Sequence, residues 1–124
     1  MIEGTVNTGL EAIITLAVSG TAERSSRVDA LIDTGYGGDI TLPSDVVNDL
    51  GLMRVGSTKL MLANGNEEVF DTFVASVDWS GSERGVAVHE TESVPLIGMQ
   101  MLEGQRLQVD VERDGRVLIE TLRG

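Results

Sequence analysis

The stretch Ala30-Leu31-Ile32-Asp33-Thr34-Gly35 decides how the rest of the chain is read. Leu31 and Ile32 suit an extended, buried strand. They lead straight into an acid, a small hydroxyl residue and a glycine. Apolar surroundings disfavour an idle charge, so the carboxylate makes sense as the working group of a site. The plainer alternative is a turn aspartate that hydrogen-bonds its own backbone. Gly35, lacking a Cβ, lets a backbone N–H come close to the acid. Asn7-Thr8-Gly9 is a similar triplet without the acid and is assigned no role. A second stretch, Pro95-Leu96-Ile97-Gly98-Met99-Gln100-Met101-Leu102, adds to the signal.

Composition narrows the setting. The 124 residues suit one domain, 1–124. With 41% hydrophobic residues the chain is globular, and with only 3% aromatics its core must be aliphatic. Fifteen glycines among short apolar runs fit an all-β protein with tight turns. The formal charge of −11 argues against nucleic acid and against anionic membranes as partners. The absence of cysteine excludes disulfides and thiolate metal sites. No apolar run spans a bilayer, and Glu11 interrupts the first one. A cytoplasmic location is the expectation.

Periodicity outlines the elements. Leu10 to Val18 reads as a strand with Ala12, Ile14, Leu16 and Val18 on one face. Ser19 to Arg27 reads as a polar turn, and Val28 to Ile32 as the strand leading into Asp33. Ile40-Thr41-Leu42 is a short strand. Ser44 is positioned to cap a short helix that Gly51 ends. Thr58 to Ala63 and about Glu68 to Trp79 form a hairpin around Asn64-Gly65, a dipeptide that tolerates positive φ. The long return strand has Phe73, Ala75, Val77 and Trp79 on one side. Ser80 to Arg84 turns the chain into Val86-Ala87-Val88. Val94 to Ile97, Leu107 to Val111 and Val117 to Leu122 complete the strands, with Asp114-Gly115 as a turn and Met99 to Glu103 as one or two helical turns. Roughly eight strands and one or two small helices fit a closed, barrel-like β domain.

In these residues the chain resembles the retropepsin-like aspartic proteases, the homodimeric family of retroviral proteases and their cellular relatives. The resemblance rests on Ala30 to Gly35, Ile40-Thr41-Leu42-Pro43, the hairpin near Ala63-Asn64-Gly65, Leu96-Ile97-Gly98, Met101-Leu102 and Leu107 to Val111. Gly98-Met99-Gln100-Met101-Leu102 brings it nearer the bacterial-looking and DNA-damage-inducible members than the viral ones. It implies a closed, barrel-like all-β retropepsin fold with one or two short helices, homodimeric. It implies an aspartic endopeptidase without cofactor or metal, acting on a peptide or protein. Asp33, Thr34 and Gly35 would be catalytic, with one Asp33 from each subunit. Thr34 would send its hydroxyl across the two-fold axis. The Gly98 strand would pass beside the Asp33 loop. Tyr36, Gly37, Ala63, Asn64 and Gly65 would bind substrate, the last three at the tip of a flap from Leu60 to Val69. Terminal strands would join the dimer by edge pairing. Viral members carry an acid at the place of Gly37 and an arginine at the place of Met99, so this chain departs there.

Other residues receive plainer readings. His89, the one histidine, lacks a Gly-x-Ser-x-Gly elbow to work with and is expected on a strand surface. Tyr36 either lines a pocket beside Asp33 or simply packs. Trp79 is expected in the core or at an edge. Glu67-Glu68 and Glu90-Thr91-Glu92 are expected as solvated charges, and Met53, Met61, Met99 and Met101 as core or interface filler. Three functions are therefore in play. They are a homodimeric aspartic endopeptidase, a catalytically silent dimerisation or peptide-binding module of the same fold, and a monomeric barrel of unrelated purpose.

Overall fold

Among the described residues, alternating apolar side chains fold into ten strands and two short helices. The computed structural model describes residues 1–61 and 64–122. In chain order these elements are β1 (Ile2–Val6), β2 (Ala12–Ser19), β3 (Ser25–Ile32), β4 (Ile40–Leu42), α1 (Ser44–Asp49), β5 (Met53–Met61), β6 (Glu67–Trp79), β7 (Ser82–Glu90), β8 (Leu96–Ile97), α2 (Met99–Leu102), β9 (Gln105–Val109) and β10 (Arg116–Thr121). Hydrogen bonding runs β5-β6-β7-β4-β8-β3-β2-β1-β10-β9. A further pairing of Val18 with Val77 and Ser19 with Ser76 joins β2 to β6. That contact closes the six strands β2, β3, β8, β4, β7 and β6 into a barrel.

The core is aliphatic, as the composition requires. Ile14, Val18, Ile40, Val77, Val88, Ile97 and Met101 are completely buried, and Trp79 packs beside them. Each large aliphatic side chain withdrawn from water stabilises the fold by about 1.5–3 kcal/mol before entropy is counted. Ile14, Leu16 and Val18 share one buried face of β2, and Val77 and Trp79 one face of β6.

Two parallel pairings govern the site. β3 runs parallel to β8, with Leu31 beside Leu96 and Ile32 beside Ile97. β4 runs parallel to β7, with Thr41 beside His89. Parallel neighbours need long crossovers, so the whole segment from Asp33 to Pro95 leaves β3 and returns at β8. The ends of both strands, Asp33 and Gly98, therefore meet at one rim of the barrel.

Several boundaries differ from those read in the sequence. β1 is additional; its signal is interrupted by Gly4, where a Cβ would overlap the Ile13 carbonyl oxygen. β2 starts at Ala12, because Leu10 is exposed with φ 61°. In the polar stretch Ser19 to Arg27 only Gly20 to Arg24 form the turn, and both ends belong to strands, since Ser19 pairs with Ser25. Ser80 to Arg84 is also mostly strand. Ser80 and Gly81 alone turn the chain, with φ 57° and 86°, and Trp79 pairs with Ser82. β9 ends at Val109, leaving Val111 exposed. Ser44 is the first residue of α1 and not its cap; Pro43 holds that position without a side-chain bond. α2 is a single turn whose last carbonyls are satisfied by Arg84, Nη1 donating to Met101 O (3.0 Å). The terminal strands β1 and β10 each have two neighbours, so the sheet edges are β5 and β9. No described helix is long and apolar enough to cross a membrane.

Candidate active site

Asp33 begins where β3 ends, and its backbone is tied on both sides. Its N–H donates to Ile97 O (2.9 Å), and its own carbonyl accepts from Tyr36 N (3.1 Å). The loop from Asp33 to Asp39 is then bound to the β8–α2 junction. Gly98 N donates to Asp39 O (2.8 Å), Met99 N to Tyr36 O (2.8 Å) and Gln100 N to Gly38 O (3.2 Å). These contacts leave no space at residue 98. A Cβ there would overlap Gly38 O and lie 2.6 Å from Tyr36 Cδ2. The glycine of Leu96-Ile97-Gly98 thus permits the loop that carries Asp33 to lie flat against β8.

Asp33 also does what a turn aspartate does. Gly35 N–H donates to Asp33 Oδ1 (2.9 Å). A side chain at 35 would bring its Cβ within 3.2 Å of the same oxygen. The turn reading of Asp33 is therefore observed, and the same residue lines a cavity of about 490 Å³. Thr34 is exposed beside it.

The cavity lies between three pieces of chain, with Thr41 of β4 also on its wall. The loop supplies Asp33, Gly35, Tyr36 and Gly37. The β5–β6 hairpin supplies Leu60, Met61, Glu68 and Phe70, and the segment leading into β8 supplies Thr91, Glu92 and Ser93, followed by Leu96 of β8 itself. The hairpin forms because Asn64 and Gly65 accept the turn. Asn64 Oδ1 accepts from Asn66 N (2.9 Å), and Gly65 has φ 85°. Asn64 and Gly65 themselves do not line the cavity, and Ala63 lies outside the described residues. Among the described lining residues three carry carboxylates and none is basic.

Behind the loop is a polar group that the sequence reading placed on a surface. His89 is buried, 6% exposed, because β7 has β4 on one side and β6 on the other. Its Nδ1 lies 2.6 Å from the Tyr36 hydroxyl, which also donates to Ile40 O (3.1 Å). Burial holds the His89 imidazole below the usual histidine pKa, and the nearby Asp39 charge opposes that. Burial, reinforced by Asp39, pushes the Tyr36 hydroxyl above the ordinary tyrosine range. Asp39 is buried too. Its Oδ2 accepts from Ala87 N (3.0 Å), while Oδ1 has no partner among the described residues. Sequence reading also missed Phe70 and the cavity-facing role of Glu68 and Glu92. The alternation Phe73, Ala75, Val77 and Trp79 runs on the opposite face from Phe70, so it carried no signal for that residue.

Two solved structures share this architecture. An EIAV protease complexed with an inhibitor matches 75% of this chain and 86% of its own, with a TM-score of 0.58 and 14% identity. A retropepsin-like aspartic protease from Rickettsia conorii matches 96% of this chain and 89% of its own, with a TM-score of 0.57 and 20% identity. The chain has the retropepsin-like fold. No protein-family model matches the sequence, and no curated protein does. Within the retropepsin-like fold, the expected passage of the Gly98 strand beside the Asp33 loop is observed, and so is Tyr36 on the cavity wall.

Proposed function

We propose that the protein is an aspartic endopeptidase that works as a homodimer, each subunit giving Asp33 to one shared centre. The observation that carries this reading is Asp33 itself. It faces a cavity from a loop held by the β8–α2 junction, in a retropepsin-like fold. The chemistry needs two adjacent carboxyls. One, ionised, takes a proton from water as the water oxygen attacks the scissile carbonyl carbon. The other, protonated, hydrogen-bonds the carbonyl oxygen as it gains charge. The tetrahedral intermediate then expels the amine, which takes up a proton. Two carboxyls this close hold one proton between them and titrate as a unit, the known behaviour of aspartic-protease pairs.

Other residues take roles around that pair. Gly35 N–H fixes the orientation of its own Asp33 carboxylate. Thr34, exposed beside the acid, is free to bond the partner's loop. Tyr36 and Gly37 form the floor under an extended peptide. The β5–β6 hairpin is the lid, with Asn64 and Gly65 at its tip, closing to exclude water, and Ala63 is proposed to bind substrate with them. Met99, bonded to the loop through its N–H, is 50% exposed and Val94, ahead of β8, 61%, apolar surface that a second copy would cover. No cofactor is assigned, the substrate is an unfolded peptide or protein segment, and the proposed location is cytoplasmic.

The test is cleavage of an unstructured peptide library from acid to neutral pH, with Asp33→Asn as control. Cleavage should fall by at least about a thousandfold in the variant. Equal rates would remove Asp33 from the mechanism. A silent peptide-binding module is the second reading. It is favoured by Asp33 already serving as a turn residue, and by Gly37 and Met99 standing where viral relatives carry charge. It predicts bound peptide that is never cut.

A further inference from the structure

His89 contacts the proposed site from behind. It stands on β7 between two cavity-lining rings from different elements. Tyr36 of the Asp33 loop lies 5.9 Å away, ring centroid to centroid, at an interplanar angle of 76°. Phe70 of the lid strand β6 lies 6.4 Å away at 44°. The Tyr36 hydroxyl is bonded on the side away from the cavity, to Ile40 O and to His89. Its ring is pressed against Gly38 and Gly98, where any Cβ would collide with it. The hydroxyl is therefore engaged, and the cavity meets tyrosine as an apolar wall.

We infer that His89 is a positioning residue for the proposed protease site, fixing Tyr36 as a wall of the subsite that takes an apolar substrate side chain. The inference rests on the peptidase or peptide-binding reading of this cavity. An imidazole does this work better than an aliphatic side chain. It fills a buried site, and it gives the tyrosine oxygen a second hydrogen bond that fixes the ring. With a leucine in place of His89 the hydroxyl would keep only Ile40 O and the ring could rotate towards the cavity. The His89→Asn variant keeps the second bond without the ring, since an amide N–H can stand in for Nδ1.

The experiment compares His89→Leu, His89→Asn and Tyr36→Phe in steady-state cleavage of a synthetic peptide with two adjacent large apolar residues at its centre. The same peptide's Kd is measured in an Asp33→Asn background. His89→Leu should raise KM and Kd roughly two- to tenfold, the span of one hydrogen bond, with kcat little changed. His89→Asn should restore most of the loss. In the Tyr36→Phe background His89→Leu should add little, because its partner is already gone. Unchanged KM and Kd in His89→Leu, with cleavage intact, would overturn the positioning role and leave the peptidase standing. Binding weakened as expected in a protein that never cuts would support the positioning role and remove the peptidase. A protein that neither binds nor cuts would overturn both.

Discussion

At the scale of single residues, proton placement is the sharpest issue. The Tyr36 hydroxyl has one proton, and Ile40 O can only accept. If both its contacts are hydrogen bonds, His89 must donate from Nδ1. His89 is the only histidine, so a nitrogen-15 spectrum reads its state without ambiguity. The expected result is a proton on Nδ1 near neutral pH. A proton on Nε2 alone would mean that the tyrosine donates to the imidazole and that Ile40 O goes without it. Stability should follow the same group. Its folded pKa lies below 6.5, so the unfolded chain binds the proton first. The contribution is present above about pH 6.5 and is lost as pH falls from there through the folded value. Thermal melts of wild type and His89→Asn should diverge above that window and converge below it. Parallel curves would show that His89 does not sense folding. The sequence did not disclose this group. Val86-Ala87-Val88-His89 reads as the end of a one-sided strand, and burial on the second side comes from β4 and β6, which are distant in the chain.

At the scale of elements, the contact between the Asp33 loop and the β8–α2 junction is the joint on which the site depends. Gly98→Ala should destabilise the protein by about 2–3 kcal/mol or more, because the methyl group meets backbone and not a flexible side chain. Urea titration would measure it, and a midpoint shift near zero would show that the loop can move away freely. This joint was expected beforehand from the resemblance carried by Ala30 to Gly35 and Leu96-Ile97-Gly98. Turns were legible where local residues decide them, as at Asn64-Gly65. They were misread where polar residues form strands. Ser19, Ser25 and Ser82 to Arg84 lie in ladders because their partners fix them, not because their side chains favour it. β1 escaped notice because Gly4 meets a neighbour's backbone that local sequence does not display.

At the scale of the whole molecule, charge should steer substrates. The chain carries −11, and the cavity margin includes Glu68 and Glu92 with no basic residue among those described. Peptides bearing Lys or Arg beside the apolar pair should be cut with higher kcat/KM than the same peptides bearing Glu. The difference should shrink as ionic strength rises from about 0.01 to 1 M, where the screening length falls from roughly 30 to 3 Å. A preference that ignores salt would locate the discrimination in direct contacts instead. Assembly is the other property of this scale, and the sequence spoke to it only through arithmetic: one Asp33 where two carboxyls are needed. Because β1 and β10 are enclosed by neighbours, edge pairing in the proposed dimer would have to use β5 or β9.

The direct measurement is a crystal structure of the protein bound to an uncleavable peptide. The two Asp33 side chains should then face each other across a two-fold axis, with carboxyl oxygens about 3 Å apart or bridged by one water. Asp33 residues on separate, distant faces of the assembly would contradict the account.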